Sequence, residues 1–436
     1  MNAEVRLWGT TIGAVSWLEN RGYGEFQYAP EFVESGIQLS PLRMPLSDEV
    51  YSFADLPRDA FKGLPGLLAD SLPDRFGNAV IDTWLAAQNR DPDSFNPVER
   101  LCYTGSRGMG GLEFIPAIYL RNEKSETESS ANIEKLIGLA NRVLSERSGL
   151  AGQVDCAVEG DEDLHDLLQL GTSAGGARAK AVMAWNPETG EFRSGQINHG
   201  APFEHWLMKF DGVSGSGDHG LADPQGYGRV EYAYYLMADR AGVDMNPCRL
   251  HEEGGRAHFM TKRFDRIENG DKLHMLSLGG MDHLSYNMPE AYSYELAVIV
   301  MKKLGCSLPE IAQFVRRAFF NIVARNQDDH VKNTAFLMDR SGQWKLSPAY
   351  DITFAVNKDN RWLKQHQLSL NDKRDGFVID DLLLFAARAG LKKSVTLRIL
   401  KEIQESVLCW SEFAEEAGVD PDKFGNIPGA FRIFQI

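Results

Sequence analysis

At 436 residues the chain is too long for one compact core and is expected to divide into two or three subdomains. Its 46 Lys and Arg against 61 Asp and Glu give a net charge of −15, a surface that repels nucleic-acid phosphates and argues against unaided DNA binding as the main activity. Apolar residues at 43% and charged residues at 25% are ordinary for a globular protein, and five scattered cysteines without C-x-x-C spacing argue against a disulfide framework or a zinc site. The opening segment, MNAEVRLWGTTIGAV, lacks the basic start and apolar run of a signal peptide. No stretch approaches the roughly 18 apolar residues of a membrane span. A cytoplasmic protein is expected.

In chain order, residues 1–120 read as a strand-rich module. Val5–Leu7, Thr11–Trp17 and Gly24–Tyr28 are short apolar runs broken by glycine. A helical stretch is expected over Pro65–Gln88. Residues 121–167 read as a linker with one helix: 122–131 are polar, 132–146 have helical spacing and 159–166 are acidic. Residues 168–270 open with a small-residue loop, Gly171–Ala177, and continue with strands at Ala179–Trp185, His205–Phe210 and His258–Phe264. A helix at Arg229–Ala241 lies between the last two strands. Residues 271–436 are expected to be mainly helical. Within them, Ser307 and Glu310 form a capping-box pattern, and Ile311, Phe314, Val315, Ala318, Phe319 and Ile322 recur at helical spacing to Arg325. The polar loop NQDDHVKN follows at 326–333, then a hairpin over 334–346 that delivers Asp351.

Phosphoryl transfer needs positioning and charge neutralisation more than covalent chemistry from the protein. Asp328 and Asn333 have the D-x-x-x-x-N spacing of a kinase catalytic loop, in which the aspartate orients the substrate hydroxyl and the asparagine holds magnesium. Asp351 follows a hairpin, where a kinase places its second metal-binding aspartate. Lys209 stands in an apolar strand, where a charged head needs a partner, and Glu231 on the next helix can supply one. Gly175 and Gly176, within SAGGARAK at 173–180, permit close approach of backbone N–H groups to phosphates.

SAGGARAK, the RFDR at 263–266, NQDDHVKN and the PAYD at 348–351 together resemble the HipA family of serine/threonine kinases. The likeness extends to FQYAPEF at 26–32, GLLADSLPDRFG at 66–77 and the Gly-rich stretch 105–111. The resemblance implies an α/β (α+β) two-lobed kinase-like fold with an N-terminal strand-rich subdomain and a mainly helical C-terminal lobe. It implies that Asp328 is catalytic, that Asn333 and Asp351 bind Mg²⁺, and that Lys209 contacts the ATP phosphates. Lys262 and Phe264 would belong to the adenine-contacting hinge, and Gly175, Gly176, Ala177, Arg178, Lys180, His330 and Tyr350 would line the nucleotide. Ser173 matches a loop serine that such kinases phosphorylate on themselves. The expected partners are ATP, a protein substrate such as an aminoacyl-tRNA synthetase (glutamate–tRNA ligase being one), and a helix-turn-helix antitoxin through which DNA would be reached. Arg178 and Ala179 depart from the family's Gln-Glu.

Rival readings are a small-molecule kinase, which would lack the N-terminal module, and a co-repressor with a vestigial site, which would not require the intact carboxylates and Lys209. The formal G-x-G-x-x-G at 215–220 is not followed by a helix opening, because Pro224, Gly226 and Gly228 intervene. His251 and His258 flank two glycines and are read as bracketing a turn rather than a zinc motif.

Overall fold

The computed structural model describes residues 1–117, 133–149, 178–196, 198–213, 225–267 and 270–436. Alternating burial in β1 (Asn2–Leu7) turns Ala3, Val5 and Leu7 inward, as a half-buried strand requires. With β2 (Thr10–Leu18), β3 (Tyr23–Tyr28), β4 (Val50–Ser52) and β5 (Leu112–Ile115) it forms an antiparallel sheet of order β4-β3-β2-β1-β5. A second antiparallel sheet has the order β7-β6-β8-β10-β9, from β6 (Lys180–Trp185), β7 (Phe192–Ser194), β8 (Glu204–Lys209), β9 (Cys248–Glu253) and β10 (Arg256–Lys262). The turn read between His251 and His258 joins β9 to β10. Gly254 and Gly255 occupy it with φ of +57° and +76°, the left-handed pair that a two-residue hairpin demands. A third sheet pairs β11 (His274–Ser277), β12 (Ala335–Met338) and β13 (Trp344–Leu346).

The helix expected over Pro65–Gln88 is two helices, Gly66–Ala69 and Arg75–Ala87. Pro73 disfavours helical backbone at Leu72, and Asp74 is extended and caps the second helix by accepting from the Gly77 N–H at 2.6 Å. Gly66 seats the first helix against the short helix Leu278–Asp282: a Cβ there would meet the Gly280 carbonyl at 2.3 Å and the His283 ring at 2.5 Å. The helix Arg75–Ala87 buries Phe76, Val80, Ile81 and Leu85 in a core shared with Ala181, Met183, Met208 and Met260 of the second sheet. The N-terminal module thus packs into the second sheet as well as into the helical lobe, whose Phe314, Phe319 and Phe385 continue the first module's core.

A buried ion cluster ties the same modules together. Asp265 accepts from both Arg263 (2.6 Å) and Arg266 (2.7 Å), and also from the Gly110 N–H at 2.7 Å. The two guanidiniums in turn donate to the carbonyls of Gly108 and Gly110. Burial pushes the Asp265 carboxyl up, but Arg263 and Arg266 outweigh it and hold it well below the usual carboxylate range. Removing that charge strands two buried guanidiniums. Asp265→Ala should therefore lose about 3–5 kcal/mol of stability, read from urea unfolding midpoints.

Candidate functional site

On neighbouring antiparallel strands β6 and β8, Lys180 stands directly opposite Lys209, so both side chains leave the sheet on one face. Both are buried, with 2% and 8% of their surface exposed. Two ammonium groups so close and so dry repel unless carboxylates are brought to them. Lys209 has two. Its Nζ lies 2.5 Å from Glu231 Oε1, on the helix Tyr227–Arg240, and also pairs with Asp351. Burial pulls the Lys209 pKa down, but Asp351 and Glu231 outweigh it, and the ammonium is held above its ordinary range. The other Glu231 oxygen accepts from Arg178 at 2.9 Å, and that guanidinium lies 4.1 Å over the Tyr227 ring. Lys180 faces Asp74 Oδ2 at 3.6 Å. Burial pushes the Asp74 carboxyl up to about 7, against the pull of Lys180.

The loop that carries Asp328 begins where the expected helix ends. Leu308–Ala324 carries the Ser307–Glu310 capping box, with the Ser307 N–H donating to Glu310 at 2.7 Å, and closes at Arg325 in the left-handed region. Three residues later Asp328 Oδ1 accepts from the Gln367 amide at 2.9 Å, and the Asn333 side chain donates to the Asp328 carbonyl at 2.8 Å. His330 Nε2 is 3.9 Å from Asp328 Oδ1. Asp329 turns inward. It accepts from Tyr294 Oη at 2.6 Å, the Gln367 N–H at 2.7 Å and His366 Nδ1 at 2.8 Å. Arg432 meets His366 Nε2 at 2.9 Å; a guanidinium only donates, so the imidazole proton sits on Nδ1, facing Asp329.

Asp351 adopts φ +53°, an uncommon conformation for a residue with a side chain. Its neighbours fix it there. Tyr350 donates to the Lys332 carbonyl at 2.5 Å, Asn326 donates to the Asp351 carbonyl at 3.3 Å, and Arg317 donates to the Ser347 carbonyl at 2.7 Å. Burial pushes the Asp351 carboxyl up, but Lys209 and then Lys180 outweigh it and bring it down to about 2. The Phe264 ring lies 5.6 Å from that of Tyr350.

Lys209, Glu231, Arg178, Lys180 and Asp351 therefore form one charged group, and His330 lies beside Asp328. Lys262 stands apart from that group. Its ammonium pairs with Glu204 at 2.6 Å, and its N–H and carbonyl bond Pro247 and Asn246. Ser173, Gly175, Gly176 and Ala177 lie outside the described residues, as does the 215–220 glycine motif.

Two families describe most of this sequence: the HipA N-terminal domain matches residues 3–115 and the HipA-like C-terminal domain residues 172–410. The chain belongs to the HipA family. It is similar in structure to HipA from the toxin–antitoxin system of Shewanella oneidensis MR-1, solved with HipB and its operator DNA. That likeness has a TM-score of 0.63 at 17% identity, over 98% of this chain and 94% of that one, and it supports the two-lobed kinase-like fold. Among curated proteins, a putative kinase, Y4mE of Sinorhizobium fredii, is 24% identical over 140 residues; the matched part spans 30% of this chain and 33% of that relative. The Helicobacter pylori proinflammatory kinase CtkA aligns over 49% of this chain and 90% of its own at 12% identity, with a TM-score of 0.31.

In this HipA-family chain, sequence reasoning did not reach Asp74, Gln367, His366 or the inward Asp329. The only sequence signal for Asp74 was its place in the GLLADSLPDRFG stretch, and a DD pair in a polar loop reads as solvated. Asp329→Ala would leave the Tyr294 O–H, the Gln367 N–H and the His366 Nδ1–H without their acceptor in a buried site. A loss of about 3 kcal/mol or more is expected in chemical denaturation.

Proposed function

We propose that this protein is a Mg·ATP-dependent kinase that transfers a phosphoryl group to a serine or threonine hydroxyl of a cytoplasmic protein. The observation that carries the reading is the Lys209 ammonium held between Glu231 and Asp351. A strand lysine, a helix glutamate and a metal-binding aspartate are the parts that a kinase must bring together. Asp328 takes the role of base: it orients the substrate hydroxyl and accepts its proton, with Gln367 fixing one carboxylate oxygen. Lys209, Lys180 and Arg178 hold phosphate oxygens, and the family likeness assigns Gly175, Gly176 and Ala177 to the same ligand. Phe264, Tyr350 and His330 border the rest of the nucleotide, with Lys262 at the hinge.

Asn333 and Asp351 offer the hard oxygen donors that magnesium takes, and the low pKa of Asp351 fits that role. Among the described residues no three or more His, Cys, Asp or Glu side chains gather to hold a metal alone. That suits an ion bound through one or two protein groups plus phosphates and waters. When bound, the ion neutralises charge on the phosphates.

The family and the Shewanella complex support a helix-turn-helix antitoxin partner, with DNA reached only through it. A toxin of this kind would act on the translation apparatus, an aminoacyl-tRNA synthetase being the leading candidate, and would phosphorylate itself on Ser173.

The test is incubation with labelled Mg·ATP and a cell lysate, followed by identification of labelled proteins and of any phosphate on Ser173. No transfer to protein would end the reading. Asp328→Asn should keep thermal stabilisation by Mg·ATP while transfer falls by about two orders of magnitude or more. Asp351→Asn should instead lose that stabilisation. Gln367→Leu should lower kcat about tenfold with the KM for ATP unchanged, the scale of one lost hydrogen bond to a charged group.

A further inference from the structure

Lys180 and Lys209 share one face of the sheet, but their counter-charges come from different places. Glu231 and Asp351 both belong to the part of the chain that carries the lysines. The counter-charge of Lys180, Asp74, arrives from the N-terminal module. The Asp74 side chain is 3% exposed, and its Oδ2 has no hydrogen bond among the described residues, the N-cap bond to Gly77 using Oδ1. The same short stretch also reaches the other side of the site. Asp70 accepts from the Ser277 N–H at 2.7 Å and its hydroxyl at 2.8 Å, and Lys332 of the catalytic loop lies 3.9 Å from it. Residues 70–74 thus present one carboxylate to each half of the cleft, and Phe76, wholly buried in the second sheet's core, anchors them.

We propose that Asp74 is a positioning residue of the nucleotide site: it holds Lys180 in place from the N-terminal module and keeps that lysine from capping Asp351. An alternative anion for Lys180 is Asp351, which already pairs with Lys209, the residue directly opposite Lys180 on the neighbouring strand. Without Asp74 the ammonium collapses onto Asp351, which then carries two lysines and is a poorer ligand for Mg²⁺. The N-terminal module is on this account part of the nucleotide site, and its seating sets the affinity for Mg·ATP. The inference rests on the nucleotide-binding reading above.

Asp74→Asn and Asp74→Ser both keep a good helix N-cap while removing the charge, which separates capping from pairing. Calorimetric titration with a non-hydrolysable Mg·ATP analogue should show affinity about tenfold weaker in each, the scale of one lost charged contact. With Lys180→Met as background, adding Asp74→Asn should cause no further loss, because Asp74 acts only through Lys180. Activity should show the same split, with KM for ATP raised and kcat within about threefold of the parent, as loss of ground-state binding requires. Unchanged or tighter binding in both Asp74 variants, or losses that multiply in the double variant, would overturn the proposal. Should the parent protein bind no analogue, the nucleotide reading fails instead. The Asp74–Lys180 coupling is then measured by the same double-mutant cycle on thermal unfolding without ligand, where additive effects refute the pairing and non-additive ones uphold it.

Discussion

Two lysines facing each other out of water set the problem that the rest of this site answers. At about 4 Å and an effective dielectric near 20, like unit charges repel by about 4 kcal/mol, and burial adds to that. A fold can tolerate the arrangement only by bringing carboxylates from several directions. Glu231 comes from the helix behind the sheet, Asp351 from beyond the hairpin and Asp74 from the N-terminal module. The arrangement sets three cations, Arg178 and the two lysines, against three carboxylates, and a polyanionic ligand can use it, since each lysine can trade a carboxylate for a phosphate oxygen without being left unpaired.

The same requirement explains how firmly the N-terminal module is fixed. A carboxylate that must meet a buried lysine to within an ångström or so cannot ride on a loosely tethered domain. Gly66 lets the module approach the helix Leu278–Asp282 with backbone against backbone, Asp70 grips Ser277, and the Arg263–Asp265–Arg266 cluster holds the 108–110 loop. Each contact joins polar groups that burial makes expensive to separate. The module therefore packs as part of the body that carries the two lysines.

Local order in the fold was legible because it depends on local pattern. The helix Leu308–Ala324 announced itself by periodicity and a capping box, and its left-handed stop at Arg325 set the start of the loop that holds Asp328. Strands β1, β6, β8 and β10 followed from apolar runs, and the Lys209–Glu231 pairing from the cost of an unpaired charge. What escaped was non-local. Nothing near Asp74 indicates Lys180, and nothing near Asp328 indicates Gln367, because those partners meet only when separate elements pack. The helical stretch expected over Pro65–Gln88 is interrupted for a local reason that was visible, Pro73, compounded by one that was not: Asp70 turned to Ser277. The bonds that place Lys262 apart from the charged group also depend on tertiary packing, since Glu204 and Asn246 belong to other segments.

Asp351 shows how these constraints meet in one residue. A left-handed aspartate costs about 1 kcal/mol or more, so its neighbours must over-determine it. Tyr350 and Asn326 bind the backbone on either side, and Arg317 holds the segment that leads in. The side chain is then aimed at Lys209 rather than left to find it. The loop carrying Asp328 is held by a set joined to these: Asp329 gathers Tyr294, His366 and the Gln367 backbone, the Gln367 side chain reaches back to Asp328, and Asn321 links the Tyr294 hydroxyl to Asn326. Asp328 and Asp351 are thus oriented by one connected network, which runs from Arg432 and His366 through Asp329, Tyr294, Asn321 and Asn326 to the Asp351 backbone. A change anywhere along that network bears on both carboxylates, and on the kinase reading proposed above their placement relative to each other is what the rate of transfer depends on.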